Sequence, residues 1–319
     1  MELLYLFEKI RNPILDFFFS TVTHIGEETF FLAFAILFFW CVNKREGYYI
    51  LITGLFGTIL NQFLKLFCKV PRPWVKDPNF TVVESAVEEA TGYSFPSGHT
   101  QNTAGTFGCI GAYSSKRWVK ITAVTVIILV SLSRMYLGVH TPLDVCVSLL
   151  IAAALVFFLH PIFSDENKFH RAMPIIIGVS VLSALGLLLY VFLIPEQGID
   201  AANLESARKN GATLFGCMAG LCLVYPIDRC LLNFKTQGTW YAQLVKVIVG
   251  LGLVLLAKEG LRTPLEWLFG NVYVARTVRY FIVVAIAGVL WPLSFRLFSR
   301  WRVSALDRLS EKLRHSDKT

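Results

Sequence analysis

The stretch that decides the fold reads Ser133-Arg134-Met135-Tyr136-Leu137-Gly138-Val139-His140-Thr141-Pro142-Leu143-Asp144. It joins two apolar segments, and Thr141 followed by Pro142 is typical of a helix N-cap and first turn. His140 and Asp144 are four residues apart, so the carboxylate is close enough to accept the imidazole N–H. That contact would leave the other ring nitrogen as a nucleophile or base. Arg134, across the turn, is expected to bind an anion. Alternatively Asp144 merely caps the helix, which leaves the crowding of charged groups at one turn unexplained.

The two segments belong to a series of apolar segments that runs through the chain. Of 319 residues, 55% are hydrophobic and only 16% are charged, a balance unlike that of a soluble domain. About 20 apolar residues cross the hydrocarbon core as a helix. We therefore predict an all-α fold, a polytopic integral membrane helix bundle with about nine to ten transmembrane helices. The expected spans are about Thr29–Val42, Tyr48–Leu64, Thr100–Tyr113, Val119–Leu132, Leu143–Leu159, Pro174–Ile194, Ala212–Ile227, Tyr241–Ala257 and Phe281–Leu297.

The sequence predicts three parts along the chain. Residues 1–165 would form a core that carries the polar clusters, residues 166–300 an additional transmembrane helical bundle of unknown role, and residues 301–319 a basic cytoplasmic tail. The segment from Met1 to about Thr23 mixes charged and apolar residues and is expected to form an interfacial amphipathic helix. Gly216 and Gly220 could let two helices approach closely, inside the chain or across a homodimer. Lys246, Lys258 and Arg262, at or near span ends, are expected to reach the interface by snorkelling. Alternatively these helices shape a lipid path or bind the partner of a coupled reaction.

Lysine and arginine collect on one set of loops, which predicts the orientation of the chain. By the positive-inside rule these loops and the C-terminal tail are cytoplasmic, and the polar clusters then lie on the extracytoplasmic face. The net charge of +8 therefore reflects topology, and nucleic-acid binding is not expected. The cations concerned are Lys44, Arg45, Lys116, Arg117, Lys120, Lys168, Arg171, Arg229, Lys235, Arg300, Arg302, Arg308, Lys312, Arg314 and Lys318.

Two more polar clusters stand at the ends of apolar segments. Lys65 and Arg72 are seven residues apart, two turns of a helix, so both would project from one face toward an anion. A pair of snorkelling cations is the equally weighted alternative. In the second cluster Ser97 is placed to cap a helix, and Gly98 lets backbone N–H groups approach an anion at the helix N-terminus. His99 could then reach a leaving oxygen, although for this cluster alone an interfacial histidine on a capped helix is the favoured interpretation.

The order Lys-x6-Arg-Pro, Pro-Ser-Gly-His and Ser-Arg-x5-His-x3-Asp resembles the three-part signature of the type 2 phosphatidic acid phosphatases. These membrane lipid phosphate phosphatases share a site architecture with soluble acid phosphatases and vanadium haloperoxidases. The resemblance covers roughly residues 1–165. Every signature position matches, namely Lys65, Arg72, Pro73, Pro96, Ser97, Gly98, His99, Ser133, Arg134, His140 and Asp144.

The resemblance implies a metal-independent mechanism with a phosphohistidine intermediate. His140 would attack phosphorus with Asp144 supporting it, and His99 would protonate the leaving oxygen and later activate water. The implied binding residues for the phosphoryl oxygens are Lys65, Arg72, Ser97, Gly98 and Arg134. No cofactor and no metal is expected, because three cations already neutralise the phosphoryl charge. The seven cysteines show no metal-ligand spacing and are expected to be buried free thiols.

The expected partner is a lipid phosphate in the bilayer. An outward-facing site makes undecaprenyl pyrophosphate the first expectation, by analogy within the family. Phosphatidate, phosphatidylglycerol phosphate and sphingoid-base phosphates are alternatives. Two other classes stay open, a lipid phosphotransferase and a phospholipid binder or transporter without hydrolysis. The acidic segment Val75–Phe95 is either a lid over the site or a solvated loop.

Overall fold

The computed structural model describes residues 1–88 and 90–300, the side chain of Arg300 excepted, and this part contains helices and loops but no strand. The all-α prediction is confirmed. The C-terminal tail lies outside the described residues. The α-helices are α1 (Glu2–Lys9), α2 (Pro13–Thr23), α3 (Glu28–Leu37), α4 (Lys44–Cys68), α5 (Pro73–Lys76), α6 (Gly98–Tyr113), α7 (Arg117–Tyr136), α8 (Pro142–Ser164), α9 (Glu166–Leu193), α10 (Ala201–Ile227), α11 (Trp240–Gly260), α12 (Arg262–Phe269), α13 (Val272–Ala285) and α14 (Phe295–Arg300).

Seven helical segments of the described chain are long and apolar enough to cross a membrane, or eight if a bent pair counts as one span. The prediction of nine to ten was approximate. The bent pair, Pro13–Gly26 and Glu28–Val42, has an angle of 52°. The seven single segments are Lys44–Lys76, Arg117–Tyr136, Pro142–Ser164, Glu166–Leu193, Ala201–Leu232, Trp240–Phe269 and Val272–Ser299.

One expected span is the short helix α6, which packs against α4, α7 and α8. Its 16 residues reach only about 24 Å, less than the roughly 30 Å of the hydrocarbon core. Its buried face is largely polar, and the neighbouring segments supply partners. Thr58 Oγ1 donates to Asn102 Oδ1 at 3.3 Å, and Asn102 Nδ2 donates to the Gly26 carbonyl at 3.4 Å. These bonds fix the start of α6, where His99 lies.

The N-terminal segment forms two helices rather than the one amphipathic helix that the sequence suggested. The break lies at Ile10–Asn12, where Asn12 accepts from the backbone N–H groups of Ile14 and Leu15 and Pro13 occupies the first position of α2. A proline at this position starts a helix instead of continuing one, which explains the break. Both helices contact α7, so the segment covers the end of the bundle where the signature residues meet.

One apolar core runs through both halves of the chain, from Phe31 and Tyr49 to Tyr225 and Phe295. Gly216 and Gly220 are used inside the chain, because α10 meets α13 there. A Cβ on Gly216 would lie 2.3 Å from the Thr277 carbonyl oxygen.

Lys246 does not snorkel to the interface. Its side chain is fully buried and donates to the carbonyls of Trp40 and Thr236, each at 3.3 Å. Its ammonium also lies 4.4 Å from the centre of the Phe295 ring. The prediction was wrong for this residue because two carbonyl acceptors and an aromatic face replace water around the charge.

Candidate active site

Lys65 and Arg72 come together, but not on one helix as predicted. α4 ends at Cys68, Lys69 adopts a left-handed conformation, and Arg72 is the extended residue before α5. The residue before a proline is disfavoured in a helix, so Pro71 and Pro73 force the chain out of α4 early. Both cationic side chains are nevertheless buried, with 7% and 6% of their surfaces exposed.

Arg72 is held from three sides. Nε donates to the Gly92 carbonyl at 3.1 Å, Nη2 to the Thr91 carbonyl at 2.8 Å and Nη1 to the Val139 carbonyl at 3.0 Å. Nη1 also lies 3.0 Å from His140 Nε2. Because a guanidinium has no acceptor atom, Nε2 must accept, and the ring proton is then on Nδ1.

Nδ1 of His140 faces Asp144, with 3.5 Å between Nδ1 and Oδ2. The same carboxylate oxygen accepts from Ser94 Oγ at 2.6 Å and from the Thr141 N–H at 2.8 Å. Thr141 and Asp144 form a capping box at the start of α8, with Pro142 at its first turn, as predicted. Asp144 therefore caps the helix and faces the imidazole at once, so the two interpretations of this residue do not exclude each other.

Ser97 caps α6 as predicted, since its side chain accepts from the Thr100 N–H at 3.4 Å. Its own N–H donates to the Asp144 carbonyl at 3.3 Å, which ties the second polar cluster to the third. A Cβ on Gly98 would meet nothing within 4 Å, so open space borders the helix N-terminus. His99 follows, half-buried, in the first turn.

The third cation, Arg134, lies beside the other candidate site residues. Arg134 is 1% exposed and Nη1 donates to Thr23 Oγ1 at 2.6 Å. Its backbone carbonyl accepts from the His140 N–H at 3.2 Å. All eight residues singled out by the sequence thus lie at one end of the bundle.

The electrostatic environment keeps the imidazole of His140 neutral. Burial lowers the pKa of His140 well below its ordinary value, and the neighbouring cations, Arg72 first, lower it further. A neutral imidazole has the lone pair that an attack on phosphorus requires. Three cations with one carboxylate leave a surplus of positive charge, which suits a phosphate dianion.

The structure adds residues that the sequence did not indicate. The carbonyls of Thr91, Gly92 and Tyr93 hold the cations, the last accepting from Lys65 Nζ. Ser94 orients Asp144. These four positions belong to the acidic segment that was left open as a lid or a solvated loop, and its C-terminal part is a wall of the site.

Arg11 fixes the turn that carries His140. Nε and Nη2 donate to the Tyr136 carbonyl at 3.1 and 3.0 Å, and Nη1 donates to the Thr81 carbonyl at 2.9 Å. The guanidinium also packs on Gly138, which has a φ of 82° and leaves no room for a side chain. Nothing in the local sequence marks Arg11, because its acceptors are backbone atoms far along the chain.

Comparison with known sequences relates the chain to a family of proteins. The profile described as "PAP2 superfamily" matches residues 45–168, and "PAP2 superfamily phosphatase, transmembrane extension" matches residues 210–302. Phosphatidylglycerophosphatase B of Bacillus subtilis is 31% identical over 177 residues, which cover 51% of this chain and 81% of that protein. The chain belongs to the PAP2 superfamily.

Other PAP2 relatives match more of this chain. Lipid phosphate phosphatase delta of Arabidopsis thaliana is 25% identical, over 82% of this chain and 65% of its own length. Sphingosine-1-phosphate phosphatase 1 of Rattus norvegicus is 24% identical, over 79% of this chain and 60% of its own length. This PAP2 chain thus spans less than two thirds of the length of these two relatives. No solved structure matches it significantly.

Proposed function

We propose that this PAP2 protein is an integral-membrane lipid phosphate phosphatase that acts through a phosphohistidine on His140. The observation that carries the proposal is the arrangement around the imidazole. Arg72 lies 3.0 Å from Nε2, and Asp144 lies 3.5 Å from Nδ1 on the other side. A phosphate binder without hydrolysis would need the cations but not an oriented, neutral imidazole.

The two chemical steps follow from this geometry. The lone pair of His140 Nε2 forms a bond to phosphorus as the bond from phosphorus to the lipid oxygen breaks, and His99 gives that oxygen its proton. Water then attacks phosphorus, its proton passes to His99, the N–P bond breaks and phosphate leaves. Lys65, Arg72 and Arg134 neutralise the phosphoryl oxygens throughout. Ser97 and the Gly98 N–H would complete the cradle at the start of α6.

A lipid phosphate monoester is the substrate class that the relatives support, since their names give lipid phosphate, phosphatidylglycerophosphate and sphingosine 1-phosphate. Undecaprenyl pyrophosphate rests on the expected outward orientation and on analogy within the family, and it is a second candidate for the same assay. If the protein is instead a lipid phosphotransferase, the phosphoryl group passes to an acceptor other than water. The assay would then detect a phosphorylated acceptor in place of free phosphate.

The test is phosphate release by the purified protein in detergent, with EDTA, across these lipids. We expect release from at least one lipid monoester, unaffected by EDTA, and none from His140→Ala. His160→Ala, on the lipid-facing helix α8, is the matched control and should keep wild-type activity. Retention of activity by His140→Ala would exclude the phosphohistidine, and loss of activity with EDTA would exclude the metal-independent mechanism.

We further propose that the site faces the extracytoplasmic side and the C-terminus the cytoplasm. Lys44, Lys116 and Arg229 lie at the helix ends opposite to the site, as the positive-inside rule requires of cytoplasmic loops. Two exposed native thiols lie at opposite ends, Cys68 beside the site and Cys230 away from it. In single-cysteine variants in intact cells, an impermeant maleimide should label Cys68 and spare Cys230; the reverse pattern would invert the topology.

A further inference from the structure

An elongated apolar cavity lies between the catalytic half and the extension helices. Its volume is about 260 Å³, larger than the roughly 150 Å³ cavity that stays dry and binds benzene in another protein. Helices α3, α4, α10, α11 and α13 form the walls. Representative lining residues are Leu32, Leu55, Leu214, Leu221, Val254 and Val283. Such a lining favours hydrocarbon over water.

The charged residues in the lining of the cavity lie at the end nearest the catalytic residues. Glu28 and Lys258 line that end. Glu28 opens α3 two residues after Gly26, and Gly26 packs directly on His99. Lys258 stands near the C-terminal end of α11, which is the same end of the bundle. The polar end is therefore a few residues from the proposed general acid.

The cavity runs deep into the membrane from this end. Along α10 its wall extends from Asn210 to Val224, about 21 Å, which is roughly two thirds of the hydrocarbon thickness. Leu255 belongs to the lining and is 50% exposed, so the cavity opens sideways toward the bilayer. A hydrocarbon chain could enter through this opening without passing through water.

We propose that this cavity holds one hydrocarbon chain of the lipid whose phosphate is bound at the active site. The proposal rests on the proposed function. Thr58 lines the cavity and donates to Asn102, one turn along α6 from His99, so cavity and site share the same helix end. A charged end beside the phosphate site and a largely apolar depth match the order of headgroup and chain in a lipid. A second chain would remain in the bilayer, beyond the lateral opening.

Photo-crosslinking tests where the chain lies. The probe is sphingosine phosphate with a diazirine at the end of its chain, bound in detergent to the full-length His140→Ala variant so that it is not hydrolysed. We expect labelled peptides from the far end of the cavity, around Phe39, Val224 and Gly288. Labels confined to outward-facing residues such as Phe157 would overturn the proposal.

Filling the cavity gives a second readout with a matched control. Ala33→Phe places a ring inside the cavity, and Ala154→Phe places the same ring on the exposed face of α8. The loss of a single methylene from an apolar pocket weakens binding by about ten-fold or more. We therefore expect Ala33→Phe, which takes up space that the chain would occupy, to raise KM for long-chain substrates about ten-fold. It should leave hydrolysis of butyl phosphate, whose chain is too short to reach the depth, unchanged. If Ala33→Phe does not fold, Leu255→Trp at the half-exposed opening replaces it.

The outcomes separate this inference from the proposed function. Turnover by the wild type with equal KM values for Ala33→Phe and Ala154→Phe would overturn the chain site and leave the phosphatase intact. Labelling at the far end by a wild-type protein that releases no phosphate from any lipid would overturn the phosphatase and retain a lipid site.

Discussion

Gly26 offers a way to displace His99 without changing its chemistry. A Cβ at residue 26 would lie 2.8 Å from His99 Cβ, 3.0 Å from its carbonyl oxygen and 3.1 Å from its Cα. Ordinary contacts between carbon atoms are about 3.5–4.0 Å. In Gly26→Ala the two segments must therefore separate by roughly 0.5–1 Å. Gly26 is not among the residues with positive φ, so the cost is steric rather than conformational.

The size of the effect follows from this displacement. A misplacement of about 1 Å can cost about 100-fold in rate. We therefore expect Gly26→Ala to lower kcat about 10- to 100-fold, which corresponds to about 1.4–2.7 kcal/mol in the activation free energy. KM should change little, because the three atoms nearest to a Cβ at residue 26 all belong to His99 and none to a cation of the site. The loss should be greatest for lipids with poor leaving groups, which depend most on protonation by His99.

The assay is phosphate release from the preferred lipid in detergent, with Tm measured on the same samples. Gly186→Ala is the matched control, because a Cβ on Gly186, in the middle of α9, meets nothing within 4 Å. Its kcat and Tm should equal those of the wild type or slightly exceed them. A Gly26→Ala protein with wild-type kcat and a lowered Tm would show that Gly26 serves packing alone, and the reasoning about His99 would fail.

Three further predictions concern the groups around the nucleophile. Ser94→Ala removes a buried hydrogen bond to the Asp144 carboxylate, which is worth about 1.5–3 kcal/mol, so kcat should fall about 10-fold or more. The control is Ser148→Ala, which removes only a hydrogen bond to the Asp144 backbone carbonyl and should not reproduce that loss. Arg11→Ala should lower kcat by about 10-fold by loosening the turn before His140. Arg11→Lys keeps the charge but not the planar set of guanidinium donors, so it should restore kcat only in part. Full activity of the alanine variant would contradict this prediction. Because the pKa of His140 is lowered in the folded state, the unfolded state binds more protons below about pH 6.5. The free energy of unfolding, measured by denaturant titration, should therefore fall as the pH drops below that value. His140→Asn should show a smaller decrease with pH, and an identical decrease in the two proteins would refute the prediction.

The eight candidate site residues could be singled out from the sequence because six of them carry ionisable groups at the ends of apolar segments. Ionisable side chains such as those of Lys65, Arg134 and His140 are costly at membrane depth. Three such clusters in one chain were therefore informative, although snorkelling explained the Lys65 cluster alone equally well. The helix starts at Ser97 and Thr141 were also predictable, since capping depends on neighbouring residues only. The features that depend on neighbouring residues, such as these helix starts, could thus be predicted from the sequence.

What the sequence did not reveal depends on backbone atoms and on distant contacts. Every residue has a carbonyl, so nothing distinguished those of Thr91 and Gly92 as acceptors for Arg72. The same holds for Arg11, whose acceptor on Tyr136 lies 125 residues away. Lys246 was misjudged for a related reason, because a buried lysine between two carbonyls has the same sequence pattern as a snorkelling one.

These backbone acceptors also compensate the charge of the buried cations. Carbonyl dipoles of the 91–93 segment compensate the buried cations, and Arg72 additionally donates to His140 Nε2. A phosphoryl group carries negative charge and can accept two parallel hydrogen bonds from a guanidinium, whereas the imidazole is a neutral acceptor, so an arriving phosphoryl group competes for Arg72. Once Arg72 turns to the phosphoryl oxygens, Nε2 loses its donor and its lone pair is exposed to phosphorus at the moment the substrate is in place. In our proposed mechanism, Arg72 therefore donates to the nucleophile before the substrate binds and to the phosphoryl oxygens afterwards.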